Sequence, residues 1–330
     1  MSFEHLAVIG GGAWGTALAQ VVATGGRDTL LWAREPEVVE AVNGRHENSL
    51  FLAGQQLDPA IRATADLAEL EQCDAWLVVT PAQHMGAVLA AAPPCGKPLI
   101  LCSKGIDERS GQLLHDVARH ACPGAPVAVL SGPSFAGEVA AGMPTAVTLA
   151  ADDAPLGEAL RKRLALPAFR IYLSDDLIGA EIGGAVKNVL AIACGVVAGK
   201  RLGENARAAL IARGFAEMTR FGLDYGARRE TLAGLSGLGD LVLTCSSTSS
   251  RNFSLGVGIG EGRSAAELLA DRRTVAEGAF TAPVLAGIAA ERGIDMPIVA
   301  AVCTLLAGRA PAHDVVAGLL ARPLRAERGG

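Results

Sequence analysis

The spacing of glycines near the start of the chain restricts its fold more than any other feature. In AVIGGGAWGTALA, Gly10, Gly12 and Gly15 follow a short apolar segment and precede a helix-like one. In a strand–turn–helix, the first glycine of this spacing permits the tight turn and the second lets backbone approach a pyrophosphate. The third allows the helix to pack closely on the strand. The segment predicts a dinucleotide-binding turn with the phosphates at the helix N-terminus; a purely structural glycine turn is the alternative.

Strand-like and helix-like segments alternate through the first half of the chain. Apolar strand candidates occur at residues 5–10, 29–33, 74–80, 98–103, 126–132, 145–150 and 169–175. Nearly continuous apolar strands that alternate with helices indicate a largely parallel sheet covered on both faces. Beyond about residue 180, Ala/Leu-rich helix candidates replace the strands, at 181–199, 204–222, 264–270, 281–292 and 297–308.

These patterns predict two domains. Residues 1–182 are expected to form an α/β Rossmann-type dinucleotide-binding domain with a largely parallel sheet. Residues 183–330 are expected to form an all-α substrate-binding and catalytic domain. The stretch YLSDDLIGAEIGG is interpreted as the linker between them.

Charge and length exclude several classes of protein. A net charge of −5 gives no sign of a nucleic-acid-binding surface. Residues 182–199 are long enough to cross a membrane, but four glycines and the pair Lys187-Asn188 argue against a membrane span. The N-terminus has no basic region followed by a long apolar stretch, so no secretory signal is expected.

Cysteine and histidine usage indicates the compartment and the absence of a metal. The seven cysteines are scattered and none has Cys-x-x-Cys spacing, which predicts reduced thiols in a cytoplasmic protein. The six histidines show no metal-ligand spacing, so no metal is predicted. The apolar helices of the second domain are compatible with a homodimer.

Lys187 is the single charge in the apolar segment between Glu181 and Lys200. A buried ammonium is costly unless it is paired or its pKa is lowered. The positions that share its helical face are all small: Ala180, Gly183, Gly184, Ala191 and Cys194. Glycines there suggest close approach by backbone or by a ligand. A lysine reaching out from the edge of the core is the alternative.

Polar residues elsewhere could complete a site around this lysine. Asp240 follows Gly237 and Gly239 and could pair with Lys187, although a helix N-cap is an equal interpretation. Thr244 would lie on the same helical face as Asp240. The run Ser250, Arg251 and Asn252 combines a guanidinium with neutral donors, which suits a phosphate. A flexible surface loop is the alternative.

Two strand ends carry further cations. Lys104 follows an apolar strand and could reach a phosphate or carbonyl oxygen, although an exposed loop lysine is the default interpretation. Arg34 follows the second strand, where an arginine can accommodate the 2′-phosphate of NADP. It could also be a solvated residue before a helix that starts at Pro36, so the sequence leaves NAD or NADP open.

Taken together, these segments resemble the bacterial type of NAD(P)-dependent glycerol-3-phosphate dehydrogenases. The resemblance is carried, in the order of the family, by GGGAWGTALA, SKGI, SGPSFAGEVAAGMPTA, GGAVKNVLAIACG, GLGDLVLTC, SRN and VAEG. It extends from the start of the chain to about residue 280. The last fifty residues are less distinctive, and the position of Arg34 varies within the family.

The resemblance implies particular site residues. Besides the three glycines of the turn, the implied NAD(P) contacts are Ala13, Trp14, Arg34, Lys104, Ala136, Arg251, Val275 and Glu277. The implied substrate contacts are Lys104, Gly132, Ser134, Lys187, Asp240, Ser250, Arg251 and Asn252.

The implied reaction interconverts sn-glycerol 3-phosphate and dihydroxyacetone phosphate by hydride transfer at C2. Lys187 matches the proton-transferring residue of the family, and its pKa must fall for it to act as a base near neutrality. Asp240, with Thr244 on its helical face, would orient the lysine, while Lys104 and Asn188 would stabilise the developing alkoxide. The product suggests a supply role in phospholipid synthesis.

Two other functions compete with this one. β-Hydroxyacid dehydrogenases share a Rossmann domain, a helical domain and a catalytic lysine, but they usually carry an asparagine four residues after that lysine. Here Asn188 is adjacent and position 191 is alanine. A non-catalytic dinucleotide-sensing protein would need the glycine turn but has no use for Lys187, Asp240 and Arg251 together.

Overall fold

The computed structural model describes residues 3–94, 96–270 and 275–323, and the chain divides into two compact units. The first unit contains Met1–Ser103 and Leu113–Ala180, and the second contains Lys104–Gln112 and Glu181–Gly330. A short loop from the first half of the sequence therefore belongs to the second unit, which the sequence did not predict. The predicted boundary between residues 182 and 183 remains a prediction.

The described residues of the first unit contain ten strands. In chain order they are β1 (His5–Ile9), β2 (Asp28–Trp32), β3 (Glu47–Asn48), β4 (Leu52–Gln56), β5 (Ile61–Thr64), β6 (Ala75–Val78), β7 (Leu99–Leu101), β8 (Val127–Ser131), β9 (Thr145–Ala151) and β10 (Phe169–Ser174). Strands β3 and β4 form a separate antiparallel pair. The other eight form one sheet in the order β10-β9-β8-β7-β6-β1-β2-β5.

The eight-stranded sheet is parallel except between β8 and β9. Parallel neighbours need a long crossover, usually through a helix on one face. The connection between β8 and β9 contains only one short helix, Ala136–Ala140, and the chain returns beside β8 in the opposite direction. The expectation of a largely parallel sheet is confirmed, with this one antiparallel step.

Both faces of the sheet are buried. Along β1, Leu6 and Val8 belong to the hydrophobic core on one face, while Ala7 and Ile9 belong to the core on the other. Side chains alternate between faces along a strand, so a strand covered on both sides must be apolar throughout. This is why the predicted strands could be recognised as continuous apolar runs.

The described residues contain fifteen α-helices. Six lie in the first unit: α1 (Ala13–Thr24), α2 (Pro36–Arg45), α3 (Ala82–Ala91), α4 (Leu114–Ala121), α5 (Ala136–Ala140) and α6 (Ala154–Leu164). Helix α7 (Leu177–Gly199) begins at the end of the first unit and continues into the second. The remaining helices are α8 (Glu204–Asp224), α9 (Arg229–Ala233), α10 (Asp240–Thr244), α11 (Arg251–Gly260), α12 (Ala265–Leu269), α13 (Glu277–Glu291), α14 (Pro297–Leu306) and α15 (Ala312–Leu320).

The predicted linker is not a linker. Its first residues complete β10, and α7 already begins at Leu177. The Asp176 carboxylate accepts a hydrogen bond from the Gly179 backbone N–H at 2.8 Å and so caps the first turn of α7. Asp176, which the sequence places in the predicted linker, thus starts a helix. Strands β3 to β5 and helix α9 were not predicted, because they are short or polar. Helices α11 and α15 were not predicted either, although most of their residues are apolar or small.

Helix α7 is a core helix. By length and composition it could cross a membrane, but 89% of the apolar window that meets this criterion is buried inside the protein. It is the one such helix among the described residues.

Helices α7 and α11 cross with their backbones in contact. Two glycines on each helix, four residues apart, line the crossing: Gly195, Gly199, Gly256 and Gly260. A Cβ atom on Gly195 would lie 2.1 Å from the Phe253 carbonyl oxygen, and one on Gly256 would lie 2.0 Å from the Ile192 carbonyl oxygen. Any side chain at these positions would force the helices apart.

Glu217 joins α8 to the start of α14. Its buried carboxylate accepts hydrogen bonds from the backbone N–H groups of Ile298 at 2.7 Å and Val299 at 3.2 Å. These are helix N-terminal donors without partners inside α14. Burial raises the pKa of the Glu217 carboxyl to about 7, although the two backbone hydrogen bonds act in the opposite direction.

Candidate active site

The glycine turn between β1 and α1 has the geometry that its spacing predicts. Gly10 has a φ of 127°, which disfavours any residue with a Cβ atom. A Cβ atom on Gly15 would lie 1.8 Å from the Gly10 carbonyl oxygen, so α1 packs directly on the turn. A Cβ atom on Gly12 would meet nothing within 4 Å. Gly10 and Gly15 are required by the protein itself, whereas Gly12 keeps the space beside the helix N-terminus open.

The residues around this turn fit a dinucleotide. Gly12 is the N-cap of α1 and has no side chain to cap it, so donors at that helix end are available to a pyrophosphate. Within the described residues, three buried polar atoms in this region have no hydrogen-bond partner. They are Trp14 Nε1 in the first turn of α1, Thr80 Oγ1 just after β6, and Ser131 Oγ at the end of β8. Because buried polar groups are normally satisfied, such atoms at strand ends indicate a bound polar ligand.

In the second unit, Lys187 and Lys104 share one carboxylate. Lys187 Nζ lies 2.6 Å from Asp240 Oδ1 and 2.9 Å from Thr244 Oγ1. Lys104 Nζ lies 2.6 Å from the other oxygen, Asp240 Oδ2. Asp240 is 1% exposed and Lys187 is 7% exposed, so these charges are held away from solvent. The loop Lys104–Gln112, which belongs to the second unit, supplies the second ammonium.

Burial and the neighbouring charges set the protonation of this cluster. Burial lowers the pKa of the Lys187 ammonium to about 8; Asp240 opposes that change, and the positive charge of Lys104 adds to it. For Asp240, burial alone would raise the carboxyl pKa, but the charges and hydrogen bonds of Lys104 and Lys187 together lower it. The arrangement therefore holds an ionised aspartate beside a lysine that can release its proton near neutral pH.

The fold explains why Lys187 is surrounded by small residues. A Cβ atom on Gly183 would lie 2.4 Å from the Ser236 carbonyl oxygen, in the turn Leu235–Gly239 that precedes α10. Of the two interpretations of the glycines, close approach by backbone holds at Gly183. The turn packs against α7, and this contact places Asp240 beside Lys187.

Asp240 is not a helix N-cap. It has α-helical backbone angles as the first residue of α10, where Gly239 occupies the cap position. Its side chain instead points to the two lysines. The hydroxyl of Thr244, one turn later on the same face, donates a hydrogen bond to Asp240 Oδ1 at 3.2 Å. The sequence prediction of a shared face therefore agrees with the helix, and the N-cap interpretation is wrong.

A second buried polar network adjoins Lys187. Asn252 Nδ2 donates to Asn188 Oδ1 at 3.0 Å, and the Gly278 backbone N–H donates to Asn252 Oδ1 at 2.9 Å. A Cβ atom on Gly278 would lie 2.5 Å from the Asn188 carbonyl oxygen. These contacts fix both amides, and each Asn252 group is already engaged with the protein.

Ser250 and Arg251 start α11 beside this network. The Ser250 hydroxyl accepts a hydrogen bond from the Phe253 backbone N–H at 3.2 Å and caps the helix. Arg251 is the first residue of the helix and is exposed. Although part of the Arg251 residue is exposed, burial lowers the pKa of its guanidinium and the charge of Glu277 opposes that change, so the guanidinium itself is largely enclosed. The serine has a structural role as well.

The other predicted site residues are distributed over both units. In the first unit, Gly132 has a φ of 148° and packs on β9, where its Cβ atom would lie 2.9 Å from Val147 Cα. The Ser134 hydroxyl donates to the Gly132 carbonyl, and Ala136 begins α5. Arg34 pairs with Glu35 at 2.7 Å and has a largely exposed side chain.

In the second unit, Val275 and Glu277 lie at the start of α13. Ala13 and Trp14 are the first residues of α1, in the first unit.

Sequence reasoning missed three features of the site. It did not pair Lys104 with Asp240, because residues 136 positions apart give no periodic signal. It did not single out Gly278, although the glycine in VAEG was a visible signal. It also missed that Cys245 is next to Cys194, whose thiol, together with burial, raises the pKa of Cys245 well above its usual value.

Comparison with known proteins places the chain in a family. The family described as NAD-dependent glycerol-3-phosphate dehydrogenase matches over its N-terminus at residues 5–156 and over its C-terminus at residues 176–317. The chain belongs to the NAD-dependent glycerol-3-phosphate dehydrogenase family. This decides against the β-hydroxyacid dehydrogenase and dinucleotide-sensor alternatives, and it confirms the resemblance.

Relatives match over nearly their whole length. A glycerol-3-phosphate dehydrogenase [NAD(P)+] from Erythrobacter litoralis is 65% identical, with 98% of each chain covered. One from Novosphingobium aromaticivorans is 64% identical, with 99% of each chain covered. A crystal structure of glycerol-3-phosphate dehydrogenase from Coxiella burnetii has a TM-score of 0.93 at 37% identity, covering 97% of this chain and 99% of that one.

The family is one of dinucleotide-dependent oxidoreductases. The predicted Rossmann-type fold and the predicted NAD(P) dependence are therefore confirmed at the level of the family.

Proposed function

We propose that this member of the glycerol-3-phosphate dehydrogenase family interconverts sn-glycerol 3-phosphate and dihydroxyacetone phosphate, with Lys187 as the proton acceptor and donor. The observation that carries the proposal is the buried Lys187–Asp240–Lys104 cluster. A lysine of ordinary pKa is protonated at neutral pH and cannot accept a proton, whereas burial lowers this pKa to about 8.

In the oxidation of glycerol 3-phosphate, neutral Lys187 takes the proton of the C2 hydroxyl. The glycine turn between β1 and α1 would hold the nicotinamide cofactor, which would supply the acceptor for the hydride of C2. Asp240 and Thr244 hold the lysine nitrogen from two sides, at 2.6 and 2.9 Å, and so fix the direction in which it can accept a proton. In the reduction of the ketone, the Lys187 ammonium returns the proton to the C2 oxygen.

Lys104 supplies the second positive charge of the site. It lowers the pKa of Lys187 and, in this proposal, it also stabilises negative charge on the C2 oxygen. Asn188 is assigned the same role through its remaining amide donors. Its orientation is supported by the hydrogen bond from Asn252.

The phosphate contacts follow from the start of α11. Arg251 would bind the phosphate by its planar fork of donors, with Ser250 and Asn252 beside it. Gly132 and Ser134 complete the substrate contacts proposed from the sequence. Ala13, Trp14, Arg34, Ala136, Val275 and Glu277 are proposed as cofactor contacts, together with the glycine turn, Lys104 and Arg251.

Replacement of Lys187 tests the mechanism. Lys187→Ala removes the proton acceptor, so kcat should fall by roughly 10²- to 10⁴-fold in both directions. Binding of NADPH, followed by its fluorescence, should be retained. The control is Lys200→Ala, one residue beyond α7, which should keep wild-type activity. If the kcat of Lys187→Ala stayed within about twofold of the wild-type value, Lys187 would not be the proton acceptor.

Three further expectations belong to the same proposal. The two domains are proposed to divide at residues 182 and 183, the chain to act in the cytoplasm, and its product to supply phospholipid synthesis. The free thiols of the six described cysteines support a reducing compartment. We propose a homodimer, which sedimentation equilibrium of the intact chain would test by its mass.

A further inference from the structure

A cavity of about 490 Å³ lies in the second unit, beside the C-terminal end of α7. Its lining includes Arg201, Arg207, Ser246, Thr248, Phe253 and Val257. None of Lys187, Asp240 and Arg251 lines it. Lys187 is a dozen residues before Gly199 of the lining, and at 1.5 Å per residue this places it roughly 18 Å away along the helix. The cavity therefore contains none of these three residues, although Phe253 of its lining directly follows Asn252 of the proposed site.

Arg201 is a guanidinium without a partner. Within the described residues its side chain makes no hydrogen bond and has no carboxylate within 4.0 Å, whereas Arg207 is paired with Glu204. The cavity also contains Glu261, but Arg263 pairs with that carboxylate at 3.3 Å. Because each acidic group has an arginine of its own, Arg201 adds an uncompensated positive charge to the cavity.

The backbone of Arg201 is unusual for its residue type. It has a φ of 56°, in the left-handed region just after the end of α7, where glycine is the usual residue. Its N–H donates to the Ala198 carbonyl at 2.9 Å, so this conformation is part of the helix end. This hydrogen bond fixes the backbone from which the Arg201 side chain extends.

Two hydroxyls that line the same cavity as Arg201 can donate to the same ligand. Ser246 and Thr248 are exposed and make no side-chain hydrogen bond within the described part of the chain. The loop that holds them is fixed, because the Thr248 carbonyl accepts from the Ser254 hydroxyl at 2.8 Å and the Ser247 carbonyl accepts from the Ser250 N–H at 3.1 Å. A guanidinium and two hydroxyls that line one cavity suit the oxygens of a phosphate.

Part of the cavity lining is apolar. The buried ring of Phe253 and the side chain of Val257 contribute to it, together with Ala198. The volume falls in the range of about 300 to 1,000 Å³ that is typical of small-molecule sites. We propose that this cavity is a second ligand site, which binds an organic phosphate monoester with its phosphate on Arg201 and its apolar group on Phe253 and Val257.

The number of phosphate sites tests this proposal. Phenyl phosphate is titrated into the intact protein by isothermal calorimetry, without dinucleotide. We expect two equivalents to bind to the wild type, one in the cavity and one at Arg251. Arg201→Ala should bind one, Arg251→Ala should bind one, and the double variant should bind none. Arg213→Ala is the matched control, because Arg213 is an exposed arginine of α8 outside the cavity, and it should bind two.

The outcomes separate this inference from the proposed function. Two equivalents bound to Arg201→Ala would overturn the cavity site. Two equivalents bound to Arg251→Ala, with one bound to Arg201→Ala, would leave the cavity site standing and contradict the phosphate contact at Arg251. Thr248→Val, a change at an exposed side chain, serves as a second variant and should weaken binding in the cavity by roughly threefold to tenfold. No weakening there would contradict the hydroxyl contact.

Two further probes test the chemical class of the ligand. Inorganic phosphate should bind in the cavity more weakly than phenyl phosphate, because it leaves Phe253 and Val257 uncovered. Phenol should not bind there, since it lacks the anion. Equal affinity for phosphate and phenyl phosphate would contradict the apolar contact with Phe253 and Val257. Binding of phenol in the cavity would contradict the requirement for an anion.

Discussion

Asp240 is placed between two ammonium groups, and this placement has a consequence for Lys187. The carboxylate stabilises the charged lysine, while burial and Lys104 favour the neutral one. Burial is the largest of these effects, which is why the pKa of Lys187 falls rather than rises. A single neighbour can therefore move this pKa in either direction, depending on its charge.

The pH dependence of the enzyme should follow these charges. Oxidation of glycerol 3-phosphate needs neutral Lys187, so kcat/KM should rise with pH through about 8, and the reduction should decline over the same range. Asp240→Asn removes the anion and should shift both profiles to lower pH. Lys104→Met removes the cation and should shift them to higher pH. The test is kcat/KM from pH 6 to 10 in both directions; shifts of the same sign in the two variants would contradict the assignment.

Arg34 is the residue expected to affect the choice of cofactor. Its guanidinium pairs with Glu35 but its side chain is largely exposed, so it remains accessible to a 2′-phosphate. Arg34→Ala should raise the KM for NADPH by roughly tenfold and leave that for NADH nearly unchanged. Arg45→Ala, an exposed arginine at the end of α2, is the control. An unchanged ratio of the two KM values would dismiss Arg34 as a selector.

At the level of single residues, helical periodicity determined what the sequence could predict. Thr244 was placed beside Asp240 because one turn of helix separates them, and the structure has them 3.2 Å apart. Lys104 could not be paired with Asp240 in the same way, because that contact depends on where a loop from the first half of the chain folds. Gly183 allowed two interpretations, and only the packing of the Leu235–Gly239 turn distinguished them.

Among the helices, the contact between α8 and α14 depends on a buried carboxyl. Burial raises the pKa of Glu217 from 4.5 to about 7. Between these values the folded protein binds more protons than the unfolded chain, so the free energy of unfolding should fall as pH rises from about 5 to about 7. Once Glu217 is ionised, above its folded pKa, the burial cost no longer changes with pH.

Glu217→Gln removes the titrating group and should flatten this part of the pH dependence. The measurement is the midpoint of urea unfolding at pH 5, 6, 7 and 8. Glu230→Gln, at an exposed position of α9, is the control and should follow the wild type. If Glu217→Gln loses stability between pH 5 and 7 as steeply as the wild type, this carboxyl is not the group responsible.

Most long apolar elements could be predicted, whereas several short or polar ones could not. Helices α7, α8 and α14 have predicted and observed starts that agree within four residues, because their apolar content is high over several turns. Helix α10 has only five residues and contains the charged Asp240, so no periodic pattern marks it. Strand β5 is an edge strand of only four residues and contains Arg62. It therefore does not form an apolar run that would mark it as a strand.

On the scale of the whole molecule, cofactor binding should be visible as stability. A ligand that binds only the folded protein stabilises it by about 2.7 kcal/mol at a concentration of 100 Kd. NADPH at that excess should therefore raise the melting temperature, and the increase should continue with concentration. Gly12→Val is the matched variant: it fills a space that meets no protein atom, so the fold should survive and the NADPH effect should be lost. A normal NADPH effect in Gly12→Val would contradict the assignment of that space to the pyrophosphate.

The fold class was predictable because it follows from the order of elements, whereas the division into units was not fully predictable. Alternating strands and helices followed by helices alone define an α/β unit and a helical unit. The assignment of Lys104–Gln112 to the helical unit depends on contacts between distant parts of the chain, and no local pattern reports them.

The crossing of α7 and α11 limits how this sequence can diverge. A Cβ atom added at Gly195 or Gly256 would overlap the backbone of the other helix. A larger residue at either position requires the helices to separate, and α7 also carries Lys187, whose nitrogen must stay within hydrogen-bonding distance of Asp240. Because the overlapping atoms belong to the backbone, changing one neighbouring side chain cannot make room for a larger residue. A different residue at the crossing therefore requires either loss of the site or a coordinated change in both helices.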